Sequence, residues 1–405
     1  MCFLFLGLIV RPIILYIKQP NPEYGDAFAD SRLIVNGSYN QAIFEIGVRT
    51  FFGIAIFGIC LQIFKKVSFF DVRRESKARF NLGLVPVFVV LGASLITNFI
   101  EIRGIFQSRF LTWISVAALP CIGLAMLLTS SLSLSRLRNL TLTVFLGMIC
   151  LTLSILQASK SPFFFFIFMA LLVNFEKLKV RPGFRFSPKL IGITGVMLAA
   201  AILVFPFVQN LKDGAQTTAL NNQIGQKYFG NFSATYSVLK RFDLFRAVSD
   251  VWFVGEGAWY DFSEYIGFML GALEWNFGTI APNFGRQWSI NVLQQSSDTT
   301  YSNVASLSQS AIAEGWLLSG FVGILLTYSL FSIIIVTIGN MINSNLFLRL
   351  IALYVISSNS IFEGGVVANL ESLSTGTRTA IITWIALMAL SGITTNRTKP
   401  FNGIY

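Results

Sequence analysis

The sequence predicts an all-α membrane protein, a polytopic bundle of about ten spanning helices with one large extracytoplasmic loop. Of its 405 residues, 54% are hydrophobic and only 12% are charged, whereas soluble domains carry roughly 25% charged residues. Apolar runs of about 20 residues, the length that a transmembrane helix needs, recur along the chain. Uninterrupted runs such as PFFFFIFMALLV lack the alternation of a transmembrane barrel. Helices are therefore the predicted spanning elements, because backbone groups in lipid must be satisfied within the segment.

The apolar runs predict the position of each span. They cover about residues 1–17, 41–64, 80–102, 110–130, 139–158, 162–176, 190–210, 310–338, 346–362 and 378–394. The first run is short and contains Arg11-Pro12 near its middle, which favours either a truncated start of the chain or a kinked helix there.

Basic residues predict the orientation of these spans. Short loops rich in lysine and arginine remain in the cytoplasm, and such segments occur at residues 65–79, 135–139, 176–189 and 396–399. With ten spans, all four segments fall on the same side of the membrane, which is therefore predicted to be the cytoplasmic side. Both termini are expected on that side. The predicted division is then helices one to seven in residues 1–210, an extracytoplasmic loop in residues 211–309, and helices eight to ten with a cytoplasmic tail in residues 310–405.

The extracytoplasmic loop is too long for a plain connector, which favours a functional role. It contains a helical pattern of its own. Apolar residues with the spacing of one helix face are Phe262, Ile266, Met269, Leu270 and Leu273. Such a helix either lies in the membrane interface or packs on the bundle, and both alternatives place the loop against the lipid surface.

The formal net charge of +11 does not indicate nucleic-acid binding, because much of it is the topology signal of the inner loops. A second set of cations is predicted on the outer side. Arginine's planar fork matches phosphate oxygens, so this set suits an anionic lipid headgroup, although each member can also be an ordinary solvated or lipid-facing charge. The outer cations are Arg103, Arg109, Lys160, Lys240, Arg241, Arg246, Arg286 and Arg378.

Some of these charges have partners close in sequence. On a helix, Arg246 is spaced to meet Asp243 and Asp250, as an ordinary surface network would. Lys240 and Arg241 have fewer local partners and are better placed to meet a substrate. A separate pair lies within the second span, where Glu45 and Arg49 are four residues apart. This i,i+4 spacing favours a structural ion pair between the two.

Chemistry in this chain must use carboxylates, lysine, arginine or hydroxyl groups, because it contains no histidine. The four cysteines lack paired or metal-type spacing, so no metal site and no cofactor are predicted. Glu314 opens span eight, and Arg378 opens span ten after a glycine-rich run, residues 363–379, that is predicted as a mobile outer loop. The two would meet at the water-facing mouth of a cavity. Alternatively, Glu314 is an acidic first-turn residue that complements its helix dipole.

Three stretches carry a family resemblance. ILQASKSPFFFFIFMALL at residues 155–172 is a polar turn that enters an aromatic span, and the large loop ends in residues 281–288 and 297–315. The motif EGWLLSGFVGILL follows, with Ser319-Gly320 in place of an aromatic-glycine pair. In these features the chain resembles the O-antigen or oligosaccharide repeat-unit polymerases (Wzy-type) of bacterial envelopes. Arg246 and Gly257 also match the Arg-x10-Gly spacing described for that family's periplasmic loops.

The resemblance implies a GT-C-like, metal-independent glycosyltransferase of the bacterial inner membrane. Its donor would be a glycan on undecaprenyl diphosphate. Its partners would be membrane lipid, a chain-length regulator and a flippase, and it would not bind nucleic acid. Cations would stabilise the departing diphosphate, and a carboxylate would take the acceptor's proton. The predicted catalytic residues are Glu314, Arg241 and Arg246. The predicted substrate-binding residues are Lys160, Lys240, Arg286, Arg378 and Arg103.

Three other classes share part of this plan. O-antigen ligases also have many spans and a large outer loop, but as a family they are described as relying on an outer histidine, which this chain lacks. Peptidoglycan polymerases have a similar topology, although their motifs are not found here. A flippase or transporter usually has more spans and shorter loops.

Overall fold

A computed structural model describes residues 39–66, 83–102, 114–131, 136–157, 161–178, 261–273, 311–342, 344–358 and 365–395. All regular secondary structure in these ranges is helical, which confirms the all-α class for the described part of the chain. The helices are α1 (Tyr39–Lys66), α2 (Leu84–Ile102), α3 (Ala118–Ser131), α4 (Arg136–Leu156), α5 (Ser161–Leu178), α6 (Phe262–Leu273), α7 (Ala311–Ile342), α8 (Leu346–Ser357) and α9 (Val366–Thr395).

Most predicted spans correspond to one of these helices. The predicted spans at residues 1–17 and 190–210 lie outside the described residues, as do the predicted segment boundaries at residues 210 and 309. Helix α6 confirms the helical pattern predicted within the long loop.

Four helices in the described ranges are long and apolar enough to cross a membrane, through the segments Phe44–Phe64, Arg138–Leu156, Ala311–Ile342 and Val366–Ser391. The other apolar helices are shorter. Large apolar side chains also form an outward stripe on α1, where Phe44, Phe51 and Ile59 are 72%, 71% and 60% exposed. Such stripes suit contact with lipid. The fold is therefore consistent with a helical membrane protein, whereas the count of ten spans remains a prediction.

The helices group into two compact units. One contains α2 to α5 and α8, together with residues 375–395 of α9. Its centre is α3, which packs against α2, α4, α5 and α8 and is buried along almost its whole length. Helices α3, α5 and α8 meet closely at Gly123, where a Cβ atom would lie 2.8 Å from both Leu353 and Phe165.

The other unit contains α1, α6, residues 311–340 of α7 and residues 366–374 of α9. Here α7 is not the single straight span that the apolar run at residues 310–338 predicts. Its backbone leaves helical geometry at Ser319 and Gly320, and Gly320 has a φ of 53°, in the region that favours glycine. A short arm (residues 311–318) precedes this break, and a long arm (residues 321–342) follows it.

The two arms of α7 lie side by side. The Thr327 hydroxyl donates a 2.8 Å hydrogen bond to the Ala311 carbonyl, although these residues would be about 24 Å apart in a straight helix. The backbones touch at two glycines: a Cβ atom on Gly315 would lie 2.6 Å from the Ile324 backbone, and one on Gly323 would overlap the Gly315 carbonyl. Helix α7 is thus a hairpin. Its long arm, about 22 residues or roughly 33 Å, still has the length of a membrane span.

The prediction of a mobile outer loop at residues 363–379 is wrong from Val366 onward, because α9 begins there and is continuous to Thr395. Its glycine, serine and threonine residues are compatible with a membrane helix, because small residues are enriched where such helices pack on one another. Gly376 permits a close approach instead of a turn, since a Cβ atom there would lie 2.9 Å from the Tyr354 ring.

Gly315→Ala tests the hairpin. We expect it to lower the free energy of unfolding by about 1–3 kcal/mol, because the methyl group must separate two touching backbones. Gly339→Ala on the same helix is the matched control, since a Cβ atom there meets nothing within 4 Å, and it should leave stability unchanged or slightly raised. Thermal unfolding of the purified proteins in detergent measures both effects. Equal unfolding midpoints for the two variants would contradict the hairpin.

Candidate functional site

The carboxyl group of Glu314 is enclosed by three elements of its unit. Glu314 lies in the short arm of α7 and is only 1% exposed. Its Oε2 atom accepts a 2.7 Å hydrogen bond from the Val366 backbone N–H and a 3.2 Å bond from the Tyr265 hydroxyl. Gly365 lies against the same group so closely that a Cβ atom there would overlap the carboxyl. A side chain at residue 365 would therefore exclude this contact.

The contact with α9 is a helix cap supplied by another helix. The first N–H groups of a helix have no partner within it, and the positive end of the helix dipole favours a negative group there. Glu314 supplies an oxygen to the first residue of α9, Val366. The sequence-based alternative for Glu314 was that it complements the dipole of its own helix. Glu314 does lie in the first turn of α7, and its carboxyl also bonds the N-terminus of α9.

Helix α6 positions Tyr265 through a capping box at its N-terminus. Asp261 Oδ1 accepts a 2.8 Å bond from the Glu264 N–H, and Glu264 Oε2 accepts a 3.2 Å bond from the Asp261 N–H. This reciprocal pair is a known helix start signal. The Glu264 N–H and the Ser263 hydroxyl also hold the pKa of the exposed Asp261 carboxyl below its usual range, so the cap is ionised at neutral pH. Tyr265 follows immediately and is fully buried.

Helix α1 packs against the short arm of α7 through Arg49 and Trp316. The Arg49 guanidinium lies 3.4 Å from the centre of the Trp316 ring, a close cation–π contact. Arg49 also forms a 3.4 Å ion pair with Glu45, as the i,i+4 spacing predicts. Trp316 in turn meets the Phe321 ring edge to face at the start of the long arm. Phe52 of α1 also meets the Phe321 ring edge to face, so α1 contacts both arms near the reversal.

The structure places two of the predicted site residues. Glu314 is buried, whereas the sequence placed it at a water-facing mouth. Arg378 is half-buried within α9, twelve residues beyond the start of the helix that it was predicted to open. The two residues belong to different units. The remaining predicted site residues lie outside the described ranges, and their roles stay predictions: Arg241, Arg246, Lys160, Lys240, Arg286 and Arg103.

Sequence reasoning did not find the partners of Glu314. Tyr265 is visible in the sequence only as one aromatic residue beside an amphipathic helix, and it lies 49 residues from Glu314. Gly365 and Val366 lie about fifty residues on the other side. The one local signal is the Asp261-x-x-Glu264 capping box, which identifies the first turn of α6 and thereby the turn that carries Tyr265.

The described residues contain no group of three or more side chains suited to hold a metal ion. Comparisons with protein-family models, with curated proteins and with solved structures found no match for this chain.

Glu314→Ala and Glu314→Gln test the cap. We expect the alanine variant to lose roughly 1–3 kcal/mol of unfolding free energy, because it leaves the buried Val366 N–H without its partner. The glutamine variant keeps an acceptor oxygen and nearly the same volume, so its loss should be clearly smaller. Thermal unfolding in detergent distinguishes the two variants. An alanine variant as stable as the glutamine variant would show that the cap contributes nothing.

Proposed function

We propose that this protein is a membrane glycosyltransferase that polymerises undecaprenyl-diphosphate-linked oligosaccharide repeat units into a surface polysaccharide. The observation that carries the proposal is the Glu314 carboxyl, held in one orientation inside a hairpin of an apolar helix. Ionisable groups within membrane helices are costly and are usually retained for function. In a chain without histidine, a carboxylate is the best available general base.

The proposed reaction balances without a metal. The Glu314 carboxylate takes the proton of the acceptor sugar hydroxyl as that oxygen attacks the anomeric carbon of the donor. The bond from the anomeric carbon to the diphosphate oxygen breaks, and undecaprenyl diphosphate leaves with the electron pair. The proton then passes from Glu314 to water.

The cations predicted on the outer side have the chemistry that the leaving group needs. Arg241 and Arg246 would stabilise the developing diphosphate charge, and Lys240, Arg286, Lys160, Arg103 and Arg378 would bind donor or acceptor headgroups. The full proposal includes a GT-C-like bundle of about ten spans in the bacterial inner membrane. The reaction would take place on its outer face, with a chain-length regulator and a flippase as partners.

A second candidate is a flippase or transporter for a lipid-linked glycan. The specific observation that favours it is the break at Ser319-Gly320, because transporters often place discontinuous helices and a helix N-terminus around their substrate. Here the broken helix is α7, and its buried Glu314 lies against the N-terminus of α9. The predicted outer loop of about a hundred residues favours the polymerase, since flippases usually have short loops.

Deletion of the gene in its host discriminates between these candidates. We expect a gel of the surface polysaccharide to lose its long chains while single-repeat caps survive, because export and ligation remain intact. Loss of every surface repeat would point instead to flipping or ligation, and unchanged long chains would contradict the proposed function.

Substitution at the proposed site is a second test. Glu314→Gln and Arg241→Ala should each abolish chain extension at normal protein level, because one removes the base and the other removes a cation from the leaving group. Glu371→Gln on α9, where the carboxylate is exposed, is the matched control and should extend chains normally. The assay is complementation of the deletion strain, with the membrane level of each variant measured alongside. Wild-type chain lengths in both site variants would refute the assignment.

A further inference from the structure

The position of Glu314 requires part of the protein to move. At 1% exposure, its carboxyl cannot meet a sugar hydroxyl in the conformation described here. The described groups in contact with that carboxyl belong to three elements: the short arm of α7 that carries it, the start of α9 and helix α6. One of these elements must withdraw before an acceptor can reach Oε2.

Helix α6 buries the smallest share of its residues among these three elements. All eight residues of the short arm are buried, and the start of α9 is tied directly to Glu314 through Val366 and Gly365. In α6, by contrast, only Tyr265 and Ala272 are buried. At its other end, the Leu273 carbonyl accepts a long 3.4 Å hydrogen bond from the Ser374 hydroxyl. Few buried apolar contacts are the mark of a segment that opens at low free-energy cost.

The apolar face of α6 does not oppose this movement. Phe262, Leu270 and Leu273 are 52%, 58% and 45% exposed while the helix is docked. Undocking uncovers two buried residues, Tyr265 and Ala272, and the half-buried side chains of Ile266, Phe268 and Met269. An amphipathic helix with such a face can lie in the interface of a bilayer.

The hydrogen bond from Tyr265 to Glu314 resembles the contact that the acceptor sugar must make before it attacks. A hydroxyl group donates its hydrogen to the carboxylate oxygen, as the acceptor sugar would do before attack. The bond measures 3.2 Å, longer than the usual 2.7–2.8 Å of an O–H···O bond, so an incoming hydroxyl can displace it readily.

We propose that α6 is a lid over Glu314, and that the Tyr265 hydroxyl occupies the place of the acceptor hydroxyl in the resting enzyme. The proposal rests on the proposed glycosyl transfer. Withdrawal of α6 frees Oε2 for the acceptor, and its return excludes water and closes the site between successive additions.

A reversible cross-link tests whether the lid must open. Leu273→Cys and Ser374→Cys are combined in a background whose four natural cysteines are alanine, and they are joined by a short cleavable thiol cross-linker. Membranes holding this protein receive lipid-linked repeat units extracted from the deletion strain. We expect cross-linking to reduce chain extension at least tenfold and a reductant to restore it, with either single-cysteine variant unaffected. Full extension by the cross-linked protein would overturn the lid.

Tyr265→Phe tests the placeholder role. It keeps the buried ring and removes only the hydroxyl, so we expect chain extension at wild-type rate or faster, with a lower KM for the acceptor. Loss of extension at normal protein level, as expected for Glu314→Gln, would overturn the proposal, because Tyr265 would then be required for the reaction. Failure of the proposed function itself is recognised separately, because the protein without cross-linker would then extend no chains.

Discussion

The carboxyl group of Glu314 is the point at which three helices of one unit meet. A buried carboxyl is costly unless hydrogen-bond donors surround it, and here the donors come from the first residue of α9 and from a tyrosine of α6. Each donor is far from Glu314 in sequence, so the group joins elements that no local interaction would bring together. Gly365 is part of the same constraint, because the carboxyl occupies the space that a side chain would need.

This arrangement depends on the reversal of α7. The hairpin turns Glu314 from a residue at the entrance of a long span into one enclosed beside that span. Close contact of the arms requires glycine at residues 315 and 323, and the reversal itself uses the left-handed backbone of Gly320. Arg49 and Trp316 then attach α1 to the short arm. A small set of glycines and one aromatic–cation pair thus determines where the only predicted catalytic carboxylate lies.

Burial of this carboxyl changes how a polymerase of this kind would operate. A base at an open, water-facing mouth would be available at all times, whereas an enclosed base is available only when its cover withdraws. Helix α6 belongs to the stretch that the sequence assigns to the outer loop, and its outward face is apolar. In the proposed enzyme, arrival of an amphiphilic substrate at the membrane surface and release of the base would be coupled through one short helix.

The sequence by itself determined the class of fold and the positions of most helices, because apolar length and helical spacing are local properties of the chain. It also identified the Glu45–Arg49 pair and the helix within residues 211–309, which depend on residues three to eight positions apart. Only the tertiary structure decided that α7 folds back on itself, that α9 begins at Val366, and that Glu314 is enclosed by Tyr265 and the N-terminus of α9. Hydropathy cannot distinguish one straight span from a hairpin whose arms are both apolar, nor does it indicate which distant donor satisfies a buried carboxyl. Those outcomes depend on which backbones can approach each other, and that is settled by glycines whose role appears only when the opposing helix is in place.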